Sequence, residues 1–177
     1  MNEDLESKLK AFTNAALEFC DVVERAAAIG PVQLLRRLEP TLSALHQRLL
    51  ELPQVALGER DDDIPGRSHE EWAALYENLK NVLGNHDAYR TVFDSKNLEE
   101  EAIHGSLADD LADIYFEVIC PIKAWQQGAD PVCVIWELRL LFYSHWGKHL
   151  LSAQKAILDC LSDPTSIVNT VGTEGGI

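Results

Sequence analysis

Apolar side chains recur at three- and four-residue steps along most of this chain, the spacing that gathers them on one face of an α-helix. Leu5, Leu9, Phe12, Ala16, Phe19 and Val23 draw such a stripe between Asn2 and Ile29, and Gly30-Pro31 predicts its end. Leu34, Leu35, Leu38, Leu42, Leu45, Leu49 and Leu52 draw a second, which Pro40 should kink or split for want of an amide donor and which Pro53 closes. Gly58 to Arg67 joins like charges to Pro65-Gly66 and predicts an exposed loop, the best internal linker. Ser68 and Glu71 then have the spacing of a capping box, opening a helix through Trp72, Leu75, Tyr76, Leu79 and Leu83 that Gly84-Asn85 stops.

From His86 to Gly105 the pattern loosens, with Tyr89, Val92 and Phe93 placed to pin an irregular crossing to the core; no segment shows convincing strand alternation. Ser106 caps a helix whose stripe is Leu107, Leu111, Ile114, Val118 and Ile122, bent at Pro121 and ended by Gly128. Asp130-Pro131 opens the longest helix, to about Leu161, whose first half is apolar on most sides and is therefore expected at the centre of the molecule. Beyond it, residues 162–177 carry no stripe and are expected to form a mobile tail. The expected fold is all-α, a single-domain antiparallel bundle of about five to seven helices over residues 1–161.

Length and charge narrow the function. A chain of 177 residues suits one core and needs neither disulfide nor metal to fold. Against 29 acidic residues stand 15 Lys and Arg, a net charge of −14 that repels phosphate backbones and anionic lipid. Nucleic acid and membrane are thus poor partners, and a basic protein is the better one. The first residues lack a basic and apolar leader, no stretch has the ~20 apolar residues of a spanning helix, and Cys20, Cys120, Cys133 and Cys160 sit in apolar company without a Cys-x-x-Cys pair. These features predict a cytoplasmic protein with reduced, buried thiols.

Chemistry concentrates on the last two helices. A turn at Gln127 to Asp130 makes them antiparallel neighbours, and equal steps outward from it set Glu117 beside Arg139, Asp113 beside Ser144-His145, and Asp109-Asp110 beside Gly147 to His149. Asp109 and Asp113 are four apart, as are His145 and His149, so two oxygens and two nitrogens could meet around zinc, manganese or iron. On a helical wheel, however, Asp109 and Asp113 lie opposite the apolar stripe, and the plain expectation is a solvated acidic face. Arg139 falls within the apolar stripe of its own helix, where a guanidinium needs a partner; Glu117, Asp113 or Asp110 is expected to supply one. In a functional version Arg139 holds a carboxylate or phosphate, with Trp136, Tyr143 and Trp146 as walls. His86-Asp87 resembles a metal dyad but falls in a turn, Asp110 and Asp113 supply only half of a pyrophosphohydrolase magnesium set, and Cys120 has no base near it in sequence.

The run Ser106 to Tyr115, followed by Trp136-x-x-Arg139-x-x-Phe142-x-x-His145-Trp146-Gly147, resembles the signature of the bacterial domain-of-unknown-function family 5063. The resemblance covers most of the chain to about Leu161 and implies an all-helical domain with hallmark positions at Asp109, Asp110, Asp113, Trp136, Arg139, His145, Trp146, Gly147 and His149. Phe116-Glu117 departs from the pattern, and the family carries no activity across. The leading expectation is accordingly an interaction module with an acidic surface and no cofactor, its polar cluster fixing the pairing of two helices. The alternative is a metal-dependent hydrolase or a binder of a small anionic ligand, using the Asp/His/Arg cluster.

Overall fold

The computed structural model describes residues 2–57, 64–92 and 96–162. Phe93, the 58–63 part of the expected linker and residues 163–177 of the expected tail lie outside these. The described chain is helical except for one short hairpin. Helices α1 (Asn2–Glu24), α2 (Ala26–Ile29) and α3 (Pro31–Glu51) form the first part. Gly30 adopts a positive φ of 73° and Pro31 takes the first position of α3, so the chain reverses where the sequence pattern predicts. α3 runs unbroken through Pro40. Beside it the Thr41 hydroxyl donates to the carbonyls of Arg37 and Leu38, at 3.1 Å each. Tertiary packing of the leucine stripe against α1 outweighs the missing proline donor.

Helix α4 (His69–Leu83) starts at a capping box: the Ser68 hydroxyl accepts from the Glu71 amide, and the Glu71 carboxylate accepts from the Ser68 amide. Ser68→Ala should therefore cost about 1 kcal/mol of unfolding free energy in urea titration, whereas an unchanged midpoint would mean that α4 is held by packing alone.

A 3₁₀ turn (Gly84–His86) leads to β1 (Ala88–Thr91), which pairs antiparallel with β2 (Ile103–Ser106). This hairpin corrects the expectation of a strandless chain. Each strand has only four residues, with no run of alternating apolar side chains to announce it. Asp87 anchors the ribbon to the next helix, accepting from the Ser106 hydroxyl (2.9 Å) and the Ala108 amide (2.8 Å). His86-Asp87 is thereby a helix cap rather than a metal dyad.

Helix α5 (Leu107–Gln126) is followed by α6 (Pro131–Leu141), a π-helical segment (Phe142–Trp146) and α7 (Gly147–Ser162). The longest expected helix is thus present but interrupted by π geometry, and its last turn extends one residue past Leu161. The central position belongs to α5, which packs against α1, α4, α6 and α7, rather than to the last helix. One contiguous apolar cluster joins Phe12 and Phe19 of α1, Leu38 and Leu45 of α3, Leu111 and Val118 of α5, and Leu150 of α7. Of the expected loop, Pro65, Gly66 and Arg67 are exposed, and Ile64 packs on this cluster. Cys20 and Cys133 are buried, but Cys120 and Cys160 are only half-buried. Burial pushes the Cys20 and Cys120 thiols upward, away from reactivity. No helix among the described residues is long and apolar enough to cross a membrane.

Candidate metal centre

Five elements meet at one end of α5. Asp110 and Asp113 project from its first turns, Glu117 from the next, His145 from the π segment and His149 from α7. Of the two carboxylates expected to look at water, Asp113 is covered, at 6% exposed, and Asp109 is half-buried; Asp110 beside them is 4% exposed. Trp72 on α4, Arg67 just before it and Tyr89 on β1 do the covering, and each donates to a carboxylate. Asp113 Oδ1 accepts from Trp72 Nε1 (2.8 Å) and Arg67 Nη2 (2.9 Å), and Asp110 Oδ2 accepts from the Tyr89 hydroxyl (2.5 Å). The Arg67 guanidinium also lies over the Trp72 ring, 5.7 Å from its centroid.

Both histidines are oriented through Nδ1. His149 Nδ1 lies 2.7 Å from Asp110 Oδ1, and His145 Nδ1 lies 2.6 Å from Glu117 Oε1. A carboxylate facing Nδ1 favours the tautomer with the proton there, and in that tautomer a neutral ring presents Nε2 as a lone pair. Those two Nε2 atoms are 3.3 Å apart, and Asp113 Oδ2, the oxygen not taken by Trp72 and Arg67, lies 3.6 Å from His149 Nε2. Two nitrogens and one oxygen thus converge, their nearest atoms all within 4.8 Å. Three of the four expected ligands, Asp113, His145 and His149, come together. Asp109 does not join them; it is half-buried and groups instead with Asp110 and His149.

Burial dominates the electrostatics of the carboxylates here. Burial pushes the Asp109, Asp110 and Glu117 carboxyls upward, and for Asp109 the charge of Asp113 adds to the effect. In Asp110 burial outweighs the hydrogen bonds from His149 and Tyr89 that favour its ionised form. Burial alone would depress His149, but its hydrogen bond to Asp110 and the charges of Asp110, Asp113 and Asp109 prevail and raise it above its ordinary 6.5. A histidine with a raised folded-state pKa stabilises fully below its unfolded value and loses that stabilisation as pH climbs through the folded value. Metal-free protein should therefore lose stability as pH rises from about 6.5 through the raised value, measured as urea midpoint against pH. A His149→Gln profile as steep as wild type over that window would contradict the assignment.

Arg139 departs from expectation. It pairs with none of Glu117, Asp113 or Asp110: its Nη1 donates to the Leu52 carbonyl (2.8 Å), and the guanidinium lies 5.4 Å from the Tyr143 ring centroid. Counting equal steps from the turn matches level but not direction: Arg139, which lies on α6 before the π segment, faces the end of α3, and Glu117 meets His145 of the π segment instead. Arg67 supplies the cation that Arg139 was expected to supply. Trp146 is fully buried core, edge-on to Phe142 at 4.8 Å, and lines no site; Trp136 and Tyr143 stand with Arg139 in a separate groove. Arg67, Trp72 and Tyr89 were not legible as site residues, because no spacing along the sequence relates them to α5.

Beside the cluster a cavity of about 170 Å³ is lined by Arg67, Glu117, Phe116, Cys120, Glu137 and Leu141. Glu117, in contact with His145, and Arg67, which donates to Asp113, belong to both the cavity and the cluster.

The comparisons agree with the fold and leave the chemistry open. No curated protein matches the chain. A crystal structure of protein BF1032 from Bacteroides fragilis is similar over 89% of this chain and 94% of that one, with 24% sequence identity and a TM-score of 0.76, a likeness of fold. The model of the family described as a domain of unknown function, DUF5063, matches residues 3–163, and the chain belongs to that family.

Proposed function

We propose that the protein holds a divalent transition-metal ion on His145 Nε2, His149 Nε2 and Asp113 Oδ2 and uses it for hydrolysis. The observation that carries this reading is the facing pair of Nε2 atoms 3.3 Å apart, each ring fixed at Nδ1 by a carboxylate. At that distance the two Nε2 atoms share a proton or, when both rings are neutral with Nδ1 protonated, a metal cation in its place. Carboxylate-held imidazoles are the usual surroundings of metal-ligating histidine, with Asp110 and Glu117 setting tautomer and basicity. A metal cation would also offset the burial that raises the Asp109, Asp110 and Glu117 carboxyls, since it favours their ionised forms.

Two imidazoles and one carboxylate suit zinc, iron or manganese better than magnesium, which prefers oxygen ligands and retains its water. Three protein ligands leave a position for water, whose pKa a bound metal lowers to about 7. The cavity beside Glu117 gives a small substrate group a place to approach. An Arg139 anion clamp is no part of this centre. Contact with a basic protein partner is supported by the net charge of −14, a less specific observation than the cluster's geometry.

The test is elemental analysis of untagged protein followed by calorimetric titration of the chelated form with zinc, manganese and magnesium. One equivalent of zinc or manganese bound by wild type, and none by His145→Ala or His149→Ala, is the expected result. Wild-type protein that takes up no metal would overturn the proposal.

A further inference from the structure

The residues that the structure removes from the metal centre form a site of their own. A groove of about 630 Å³ is lined by Gln54, Val55, Trp136, Arg139, Leu140, Tyr143 and Ser144. That volume is the size of a small-molecule site. Val55, Trp136, Leu140 and Tyr143 give it apolar and aromatic walls, Gln54 and Ser144 are its neutral polar groups, and Arg139 is the single cation in the lining. One of the five guanidinium N–H groups donates to the Leu52 carbonyl, which closes the C-terminus of α3 and locks the side chain in place. The Tyr143 ring supports the guanidinium. Among the described residues no carboxylate pairs with Arg139, although the chain carries 29 acidic residues.

From this geometry we infer that the groove binds a small organic monocarboxylate bearing a flat apolar group. The carboxylate takes two parallel N–H groups of Arg139, for which the planar fork is suited, and the flat group lies against Trp136 and Leu140. One fixed cation in a molecule of net charge −14 favours a singly charged ligand over a phosphate dianion. The inference is independent of the metal proposal, since none of the groove residues is a ligand there.

The test uses indole-3-acetate as probe, with acetate, tryptamine and phenyl phosphate for comparison, followed by ¹⁵N-edited NMR of the full chain. Indole-3-acetate should saturate with a dissociation constant below about 1 mM, shifting the Trp136 indole resonance, with chelator having no effect. Acetate, tryptamine and phenyl phosphate should each bind at least about tenfold more weakly, and Arg139→Lys, which keeps the charge but loses the fork, should weaken indole-3-acetate by about tenfold. Equal binding of acid and amine would reduce the groove to an apolar surface, and tighter binding of phenyl phosphate would overturn the charge argument. Wild-type affinity in folded Arg139→Lys, or shifts confined to His145 and His149, would also overturn the inference. Should Arg139→Lys fail to fold, the comparison of the four probes on wild type still decides it.

Discussion

Zinc at about 100 times its dissociation constant should raise the unfolding free energy by about 2.7 kcal/mol, and the whole of this shift should vanish in His149→Ala. For a chain of this length that corresponds to roughly 5–10 °C in thermal midpoint. His149 is the decisive residue because both its nitrogens are committed. Nδ1 is held by buried Asp110, and Nε2 faces both His145 Nε2 and Asp113 Oδ2. Alanine removes one ligand and leaves the other two without a common centre. Asp110→Asn should act differently: all three ligands stay, but the His149 ring loses its carboxylate, and zinc affinity should fall about 10- to 100-fold. The pH dependence separates the two states further. Binding requires neutral imidazoles, so the zinc shift should grow with pH over the same range in which the metal-free protein weakens. A thermal shift of full size in His149→Ala would place the metal elsewhere, on the acidic surface.

Gly147→Ala should destabilise the protein by about 2 kcal/mol, against the gain of roughly 1 kcal/mol that the same change brings in an ordinary helix interior. A Cβ built on Gly147 falls 2.5 Å from the Phe142 carbonyl oxygen and 3.0 Å and 3.1 Å from two carbons of the Phe142 ring. The nearest of these is backbone, and it accepts the Gly147 amide hydrogen bond that closes the π turn. It cannot swing aside as the end of a long side chain would. Relief requires the turn to shift toward α-helical geometry, which rotates His145 relative to His149. Gly147→Ala should therefore also weaken metal binding, although it touches no ligand. Urea unfolding and calorimetry measure the two effects. A variant as stable as wild type with unchanged affinity would show that the π turn does not set the spacing of the histidines.

Much of the fold follows from interactions between residues a few positions apart. The leucine stripe of α3, the capping box at Ser68 and Glu71, the Ser106 cap and the Asp130-Pro131 start each depend on spacing within one or two turns. The pairing of His145 with His149 and the nearness of Asp110 to His149 were legible for the same reason: side chains four apart share a face, and neighbouring antiparallel helices present their faces to each other.

Other features depend on which element covers which face. Asp113 looked solvent-facing on a wheel, because a wheel shows one helix and not the α4 that lies upon it. Arg67 reaches Asp113 across 46 positions of sequence, and no local rule distinguishes it from another loop arginine. The hairpin that brings Tyr89 to Asp110 is too short to leave a periodic signal. Which way Arg139 turns on α6 depends on α3, whose Leu52 carbonyl takes it, and Glu117 is left to meet His145 of the π segment. The sequence by itself determined the helices, their ends and the residue types available to the site, because caps and stripes act over a few residues. Only the tertiary structure decided which carboxylates are buried, which cation meets them and that Arg139 stands apart, because those outcomes depend on the packing of several elements at once.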